Sequence, residues 1–221
     1  MNGYPAGFVS AASAGLTVLV ALVTGCAKPP DAKPPPPVGL ERPAGFDGAD
    51  DWAVVDSVSL AGTTWGIDAH ITQQAAAGPP LRLRAEVEAS IGEQGGLTVT
   101  NARLEPKALG EPQKSGWPHA LLQTLPTASG IAKYLQGTSP IPAGCTLPAR
   151  KVEARWRVSP GGDKWSLSAK VDGRAVLEGW LHRTGNGTTE GRFKALRWLS
   201  FSGEGCVFEQ LERYDLKTLG D

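Results

Sequence analysis

Residues 151–183 read KVEARWRVSPGGDKWSLSAKVDGRAVLEGWLHR, and their alternation decides the fold. Val152, Ala154, Trp156 and Val158 alternate with Lys151, Glu153, Arg155 and Arg157. Trp165, Leu167, Ala169 and Val171 alternate with Lys164, Ser166, Ser168 and Lys170. A period of two with one polar face marks half-buried antiparallel strands. Upstream, Leu81, Leu83, Ala85, Val87 and Ala89 alternate in the same way with Arg82, Arg84, Glu86 and Glu88. Weaker windows at 54–60, 65–73, 97–104, 174–183, 190–201 and 206–213 bring the set to about nine strands. Trp117–Gly137 differs, with helical composition interrupted by Pro126. It predicts two short helices near 118–124 and 128–136, with Ser115 or Gly116 capping the first, Pro118 in its opening turn and Gly137 as the stop. The expected fold is mainly β: a curled or barrel-like antiparallel sheet of about nine strands, with segment 118–136 packed on it, in one domain over 48–221.

The turns give a register. Asp172-Gly173 is a two-residue hairpin signal that sets Val171 opposite Arg174, and so Trp165 opposite Trp180. Asn186-Gly187, counted the same way, sets Arg183 opposite Glu190 and Trp180 opposite Phe193. A four-residue loop at Ser159–Gly162 sets Trp156 opposite Trp165. Trp156, Trp165, Trp180 and Phe193 then stand side by side, and a turn at Ser202–Gly205 adds Tyr214. Such a row is either core or the lining of an apolar cavity. The same register places Glu178 on the apolar face between Leu167 and Ala195, with Arg197 diagonal to it as the partner a buried carboxylate needs.

Cys145 and Cys206 are the two cysteines inside the β-rich region, and a disulfide between them is the expectation. A meander of the last five strands puts both at one end of the sheet. They meet if the sheet curls or if loop 138–150 passes beneath that end.

The first 25 residues contain no Asp, Glu, Lys or Arg, and Phe8–Val23 is an almost unbroken apolar run ending at Val23-Thr24-Gly25-Cys26. The run is short for a membrane span and suits a secretory h-region. Val23-Thr24-Gly25-Cys26 resembles the lipobox of bacterial lipoprotein signal peptides, although no Lys or Arg precedes the run. The resemblance implies removal of residues 1–25 and lipidation of Cys26, palmitate included. Ala27–Pro43 holds seven prolines in 17 residues. A segment of that composition cannot build a core, and spans roughly 50 Å as polyproline II. Residues 26–47 are therefore expected as a lipidated Cys and linker holding the domain off a membrane. Ala27 is not the Asp associated with inner-membrane retention, so by the same resemblance the destination is the outer membrane, on its periplasmic face or at the cell surface.

Charge excludes some functions. With 22 Lys+Arg against 22 Asp+Glu the chain has no basic excess for nucleic acid or for an anionic membrane surface as its main partner. Candidate chemistry is thin. His70, His119 and His182 are scattered, so no metal or cofactor site is expected. Asp68 and His70 fall on the solvent side of a strand, away from Trp65, Ile67, Ala69 and Ile71. Gly92–Gly96 reads as a hairpin loop rather than a phosphate cradle, because no helix follows it. Asn186-Gly187-Thr188 matches a glycosylation sequon that the hairpin turn explains better. The resulting expectation is non-enzymatic: a membrane-anchored envelope lipoprotein of the periplasm that binds or assembles with another envelope protein. The alternative is a carrier holding a lipid or acyl chain in a half-barrel lined by Trp156, Trp165, Trp180 and Phe193, with Glu178 and Arg197 as its polar handle.

Overall fold

The computed structural model describes residues 34–106, 119–137, 141 and 143–220. The signal segment, Cys26 and the expected cap at Ser115 or Gly116 lie outside the described residues. Among the described residues nine antiparallel strands form one open sheet: β1 (Ala53–Val55), β2 (Thr64–Ala75), β3 (Leu81–Ile91), β4 (Leu97–Glu105), β5 (Val152–Val158), β6 (Lys164–Val171), β7 (Arg174–Arg183), β8 (Thr189–Gly203) and β9 (Cys206–Thr218). Their order across the sheet is β1-β5-β6-β7-β8-β9-β2-β3-β4. Helices α1 (His119–Thr124) and α2 (Ala128–Gln136) supply Leu121, Leu122, Ile131 and Leu135 to the same core as Trp65, Trp156, Leu167 and Phe193 from the strands. This is the expected mainly β fold, left open rather than closed into a barrel. Window 54–60 is shorter than expected, because after Val55 the backbone turns to the helices. Val58 N donates to Pro126 O and Ala128 N to Asp56 O.

Local signals explain α2. The Thr127 hydroxyl accepts from Gly130 N (3.0 Å), satisfying a free amide of the first turn. Gly137 ends the helix at φ 85°, a left-handed cap open to glycine. Ile131, Tyr134 and Leu135 share one face at helical spacing, and that face is buried.

The expected cross-strand row does not form. Asp172-Gly173 does set Val171 opposite Arg174, but a bulge between Ala169 and Lys170 shifts the rest of the hairpin by one. Trp165 therefore faces Leu181, and Ser166 faces Trp180. Between β7 and β8 the loop has three residues rather than two, since Thr184 N donates to Thr188 O and Gly187 is left-handed. Arg183 then pairs with Thr189 and His182 with Glu190, while Phe193 faces Gly179 and Trp180 faces Arg192. The β5–β6 turn sits one residue later, so Trp156 faces Leu167 and Trp165 faces Val158. A two-residue β8–β9 turn places Tyr214 opposite Ala195. A shift of one residue changes faces. Trp180 and Glu178 therefore stand on the outer side of the sheet, away from Trp156, Trp165 and Phe193.

Residues 34–47, expected as free linker, lie on that outer side. Val38 N donates to Ala175 O (3.1 Å), Leu40 N to the Glu178 carboxylate (3.1 Å), and Arg174 Nη2 to Pro35 O (2.6 Å). Phe46 is 2 % exposed, its ring 5.7 Å from Trp180 and 5.4 Å from Trp52. The segment thus covers the face that the register shift turned outward, and the boundary expected at 48 falls inside packed structure.

Cys145 and Cys206 are joined, with Cα atoms 5.3 Å apart. The joining does not depend on curling the sheet, because β9 lies between β8 and β2 rather than at an edge. Instead the loop runs beside the β8–β9 hairpin. Thr146 and Ser202 exchange backbone hydrogen bonds of 2.8 and 3.1 Å. Gly203 allows the close approach, since a Cβ there would collide with the Gly144 carbonyl.

Candidate functional site

The inner face carries a closed polar knot. Arg197 on β8 and Glu212 on β9 are directly opposed and only 4 % and 1 % exposed. Arg197 Nη1 donates to Glu212 Oε1 (2.9 Å), and Gln210 Nε2 donates to the same oxygen. The hydroxyls of Tyr134 and Tyr214 each lie 2.9 Å from Glu212 Oε2 and 2.8 Å from one another. Arg197 Nε donates to Tyr134 O (2.9 Å), and its guanidinium stacks 4.7 Å over the Tyr134 ring. Burial first, then the Glu212 carboxylate, pushes the Tyr134 phenol well above its ordinary value; burial and the neighbouring Tyr134 do the same for Tyr214. Sealed from water and saturated with donors, Glu212 has no route to a substrate proton. The cluster fastens α2 to the sheet.

The six residues read as core or ligand lining separate into four settings. Trp156 and Phe193 are core, packed edge-to-face at 5.7 Å, with Trp65 a further 5.2 Å from Phe193. Trp156 Nε1 donates to Leu125 O (2.8 Å), which ties the sheet to the end of α1. Trp165 is half-buried at the rim, with the Arg183 guanidinium 5.5 Å over its ring. Trp180 and Glu178 are covered from outside by the Phe46 segment. Arg197 is on the inner face, paired with Glu212 rather than Glu178. The Glu212 knot went unforeseen, although Gln210 and Glu212 share the strand parity of Tyr214 and Leu216. Polar residues at core parity opposite an arginine were the available signal.

Open space lies on both sides of the sheet. On the inner side a 410 Å³ pocket sits between α1 and the β3–β4 end, lined by Val58, Leu60, Ile91, Leu97, Leu122 and Pro126 among others. His119 precedes Leu122 and Gln123 by one helical turn; it is 4 % exposed, and among the described residues neither ring nitrogen has a hydrogen-bond partner. On the outer side a 590 Å³ groove crosses β8, β9, β2, β3 and β4. Its floor alternates in charge. Arg192 grips Asp215 through two hydrogen bonds (3.1 and 2.8 Å), Arg84 bridges Asp68 and Glu86, and Glu88, Asn101, Arg103 and Lys217 complete it. Asp68 and His70 lie on this side, as expected, 3.3 Å apart. Among the described residues no grouping of His, Cys, Asp and Glu could hold a metal.

The chain matches no protein-family model, no curated protein and no solved structure.

Proposed function

We propose that the chain is an exported envelope lipoprotein, anchored at Cys26 in the outer membrane, whose domain works by non-covalent binding through its outer face. The observation that supports this reading is the asymmetry of the sheet. Its inner face carries the helices, the aromatic core and the sealed Glu212 knot, with open space beside α1. Its outer face leaves an open groove of 590 Å³ with acids and bases interspersed. A floor of that kind suits a polar partner surface, such as another envelope protein, and selects by charge complementarity. Two tests bear on it. Labelled palmitate enters the wild-type chain and not Cys26→Ala; equal labelling rejects the anchor. A photo-crosslinker placed at Asn101 in living cells forms a discrete protein adduct that Lys217→Glu with Glu88→Lys abolishes. Absence of any adduct, or adducts indifferent to the charge swap, rejects the groove.

A second reading is favoured by one observation, the pocket beside α1, whose apolar residues are joined by Ser57, Ser59, Glu93 and Gln123. Its 410 Å³ is within the range of small-molecule sites, and an acyl chain is the ligand its lining suits. Native mass spectrometry of the purified chain decides: a co-purified lipid lost in Leu97→Trp supports the carrier, and a ligand-free spectrum rejects it.

A further inference from the structure

Residues 34–47 are docked so that Pro34 stands at one end of the sheet. Pro34 and Pro35 line a pocket together with Asp172, Arg150 and Trp198, so the chain arrives at the β6–β7 turn end of the sheet. From there the bonds of Arg174, Ala175 and Glu178 carry it along β7, and Phe46 is clamped between Trp52 and Trp180. Cys26 precedes Pro34 by eight residues. Even fully stretched, that link reaches at most about 29 Å. The ten residues of β7 alone span about 31 Å. The opposite end of the sheet is therefore out of reach of the anchor while the segment stays docked.

The near end also carries apolar side chains, half-buried at Trp198 and Leu211 and exposed at Leu81 and Ile141. Trp198, Leu211, Thr72 and Arg82 stand opposite one another in a single row across β8, β9, β2 and β3. Leu81 is the next residue beyond Arg82 and is 41 % exposed. Ile141, 48 % exposed, belongs to the loop between Gly137, which abuts Leu147 and Leu199, and Gly144, which abuts the β8–β9 turn. Both are among three exposed large hydrophobics of the described residues; the third, Val54, is on edge strand β1. Exposed Arg82, Arg174, which donates to Pro35 O, and Lys151, paired with Glu153 (2.8 Å), are at the same end, with exposed Asp172 and Glu204.

We propose that this end of the sheet lies against the phospholipid surface that holds the Cys26 lipid, with Leu81 and Ile141 entering the headgroup region and the neighbouring cations meeting lipid phosphates. The proposal rests on the anchoring reading above. Side chains that cost exposure in water gain an apolar boundary there, and basic residues beside them are the usual company of interfacial contacts.

The test uses the processed full chain in phosphatidylethanolamine–phosphatidylglycerol vesicles containing headgroup spin-labelled lipid. A fluorophore is placed by Leu81→Cys or Lys151→Cys at the near end and by Glu190→Cys at the far end. Several-fold stronger quenching at 81 and 151 than at 190 is expected, with the difference narrowing when Phe46→Ala loosens the docked segment. Flotation of the protein with equal quenching at both ends overturns the orientation and leaves the anchor standing. A difference unchanged by Phe46→Ala overturns the role of the docked segment. A wild-type chain that does not float rejects the anchor, and this orientation with it.

Discussion

Glu212 shows how one side chain can organise three elements. It accepts from Arg197 on β8, Gln210 on its own strand, Tyr214 on the same strand and Tyr134 on α2. Removing it leaves the Arg197 charge buried beside a vacated carboxylate. Glu212→Ala is expected to lower stability by about 3–5 kcal/mol, whereas Glu212→Leu with Arg197→Met returns most of the loss, because the desolvation of both charges disappears together. Urea midpoints of the three chains check this. The two phenols set a pH limit. Both have folded-state values raised well above 10, so the fold holds protons that the unfolded chain releases. Their contribution is complete below about pH 10 and is lost as pH climbs from there toward the raised folded values. Stability should fall above pH 10, and the slope should flatten in Tyr134→Phe with Tyr214→Phe, as measured by urea titrations between pH 9 and 11.

At the scale of elements, the β8–β9 hairpin depends on a clip from outside the sheet. Leu199, Phe201 and Cys206 form a small cluster of their own, completed by Cys145, Leu147 and Phe208. The bond closes a 61-residue separation that includes β5 through β8. In the chain-entropy account such a loop contributes about 4 kcal/mol. Reduction, or Cys145→Ala with Cys206→Ala, should therefore lower the denaturant midpoint and raise exchange of the Thr146 and Ser202 amides before those of β2 and β7. Exchange that rises equally everywhere would show instead that the clip acts on the whole domain.

The whole molecule has two covered faces of different kinds. Helices α1 and α2, from the middle of the chain, pack on the inner side, and a short proline-rich segment covers part of the outer side. Phe46 is the anchor of that cover, so Phe46→Ala should cost about 3–5 kcal/mol if the segment is integral to the fold. It should also shift tryptophan emission to the red as Trp52 and Trp180 meet water. A variant with unchanged midpoint and emission would mean that the segment rests on the surface without contributing to stability.

Strand number, helix positions, the Gly137 stop and the cysteine pair were all legible in the sequence, because each rests on local period, local turn chemistry or a simple count. Alternation at 151–158 and 164–171 needed no knowledge of what lay opposite. The placement of Trp180 and Glu178 was not legible. Side chains in strands alternate faces, so the bulge beside Ala169 and the third residue in the Gly185–Gly187 loop each change which face later residues occupy. Neither irregularity leaves a mark in composition. The pairing of Arg197 with Glu212 and the docking of residues 34–47 were likewise decided by tertiary structure alone. Both join residues far apart in the chain, and a proline-rich segment with few amides to donate finds its place only where Ala175, Glu178 and Trp180 already stand in a row.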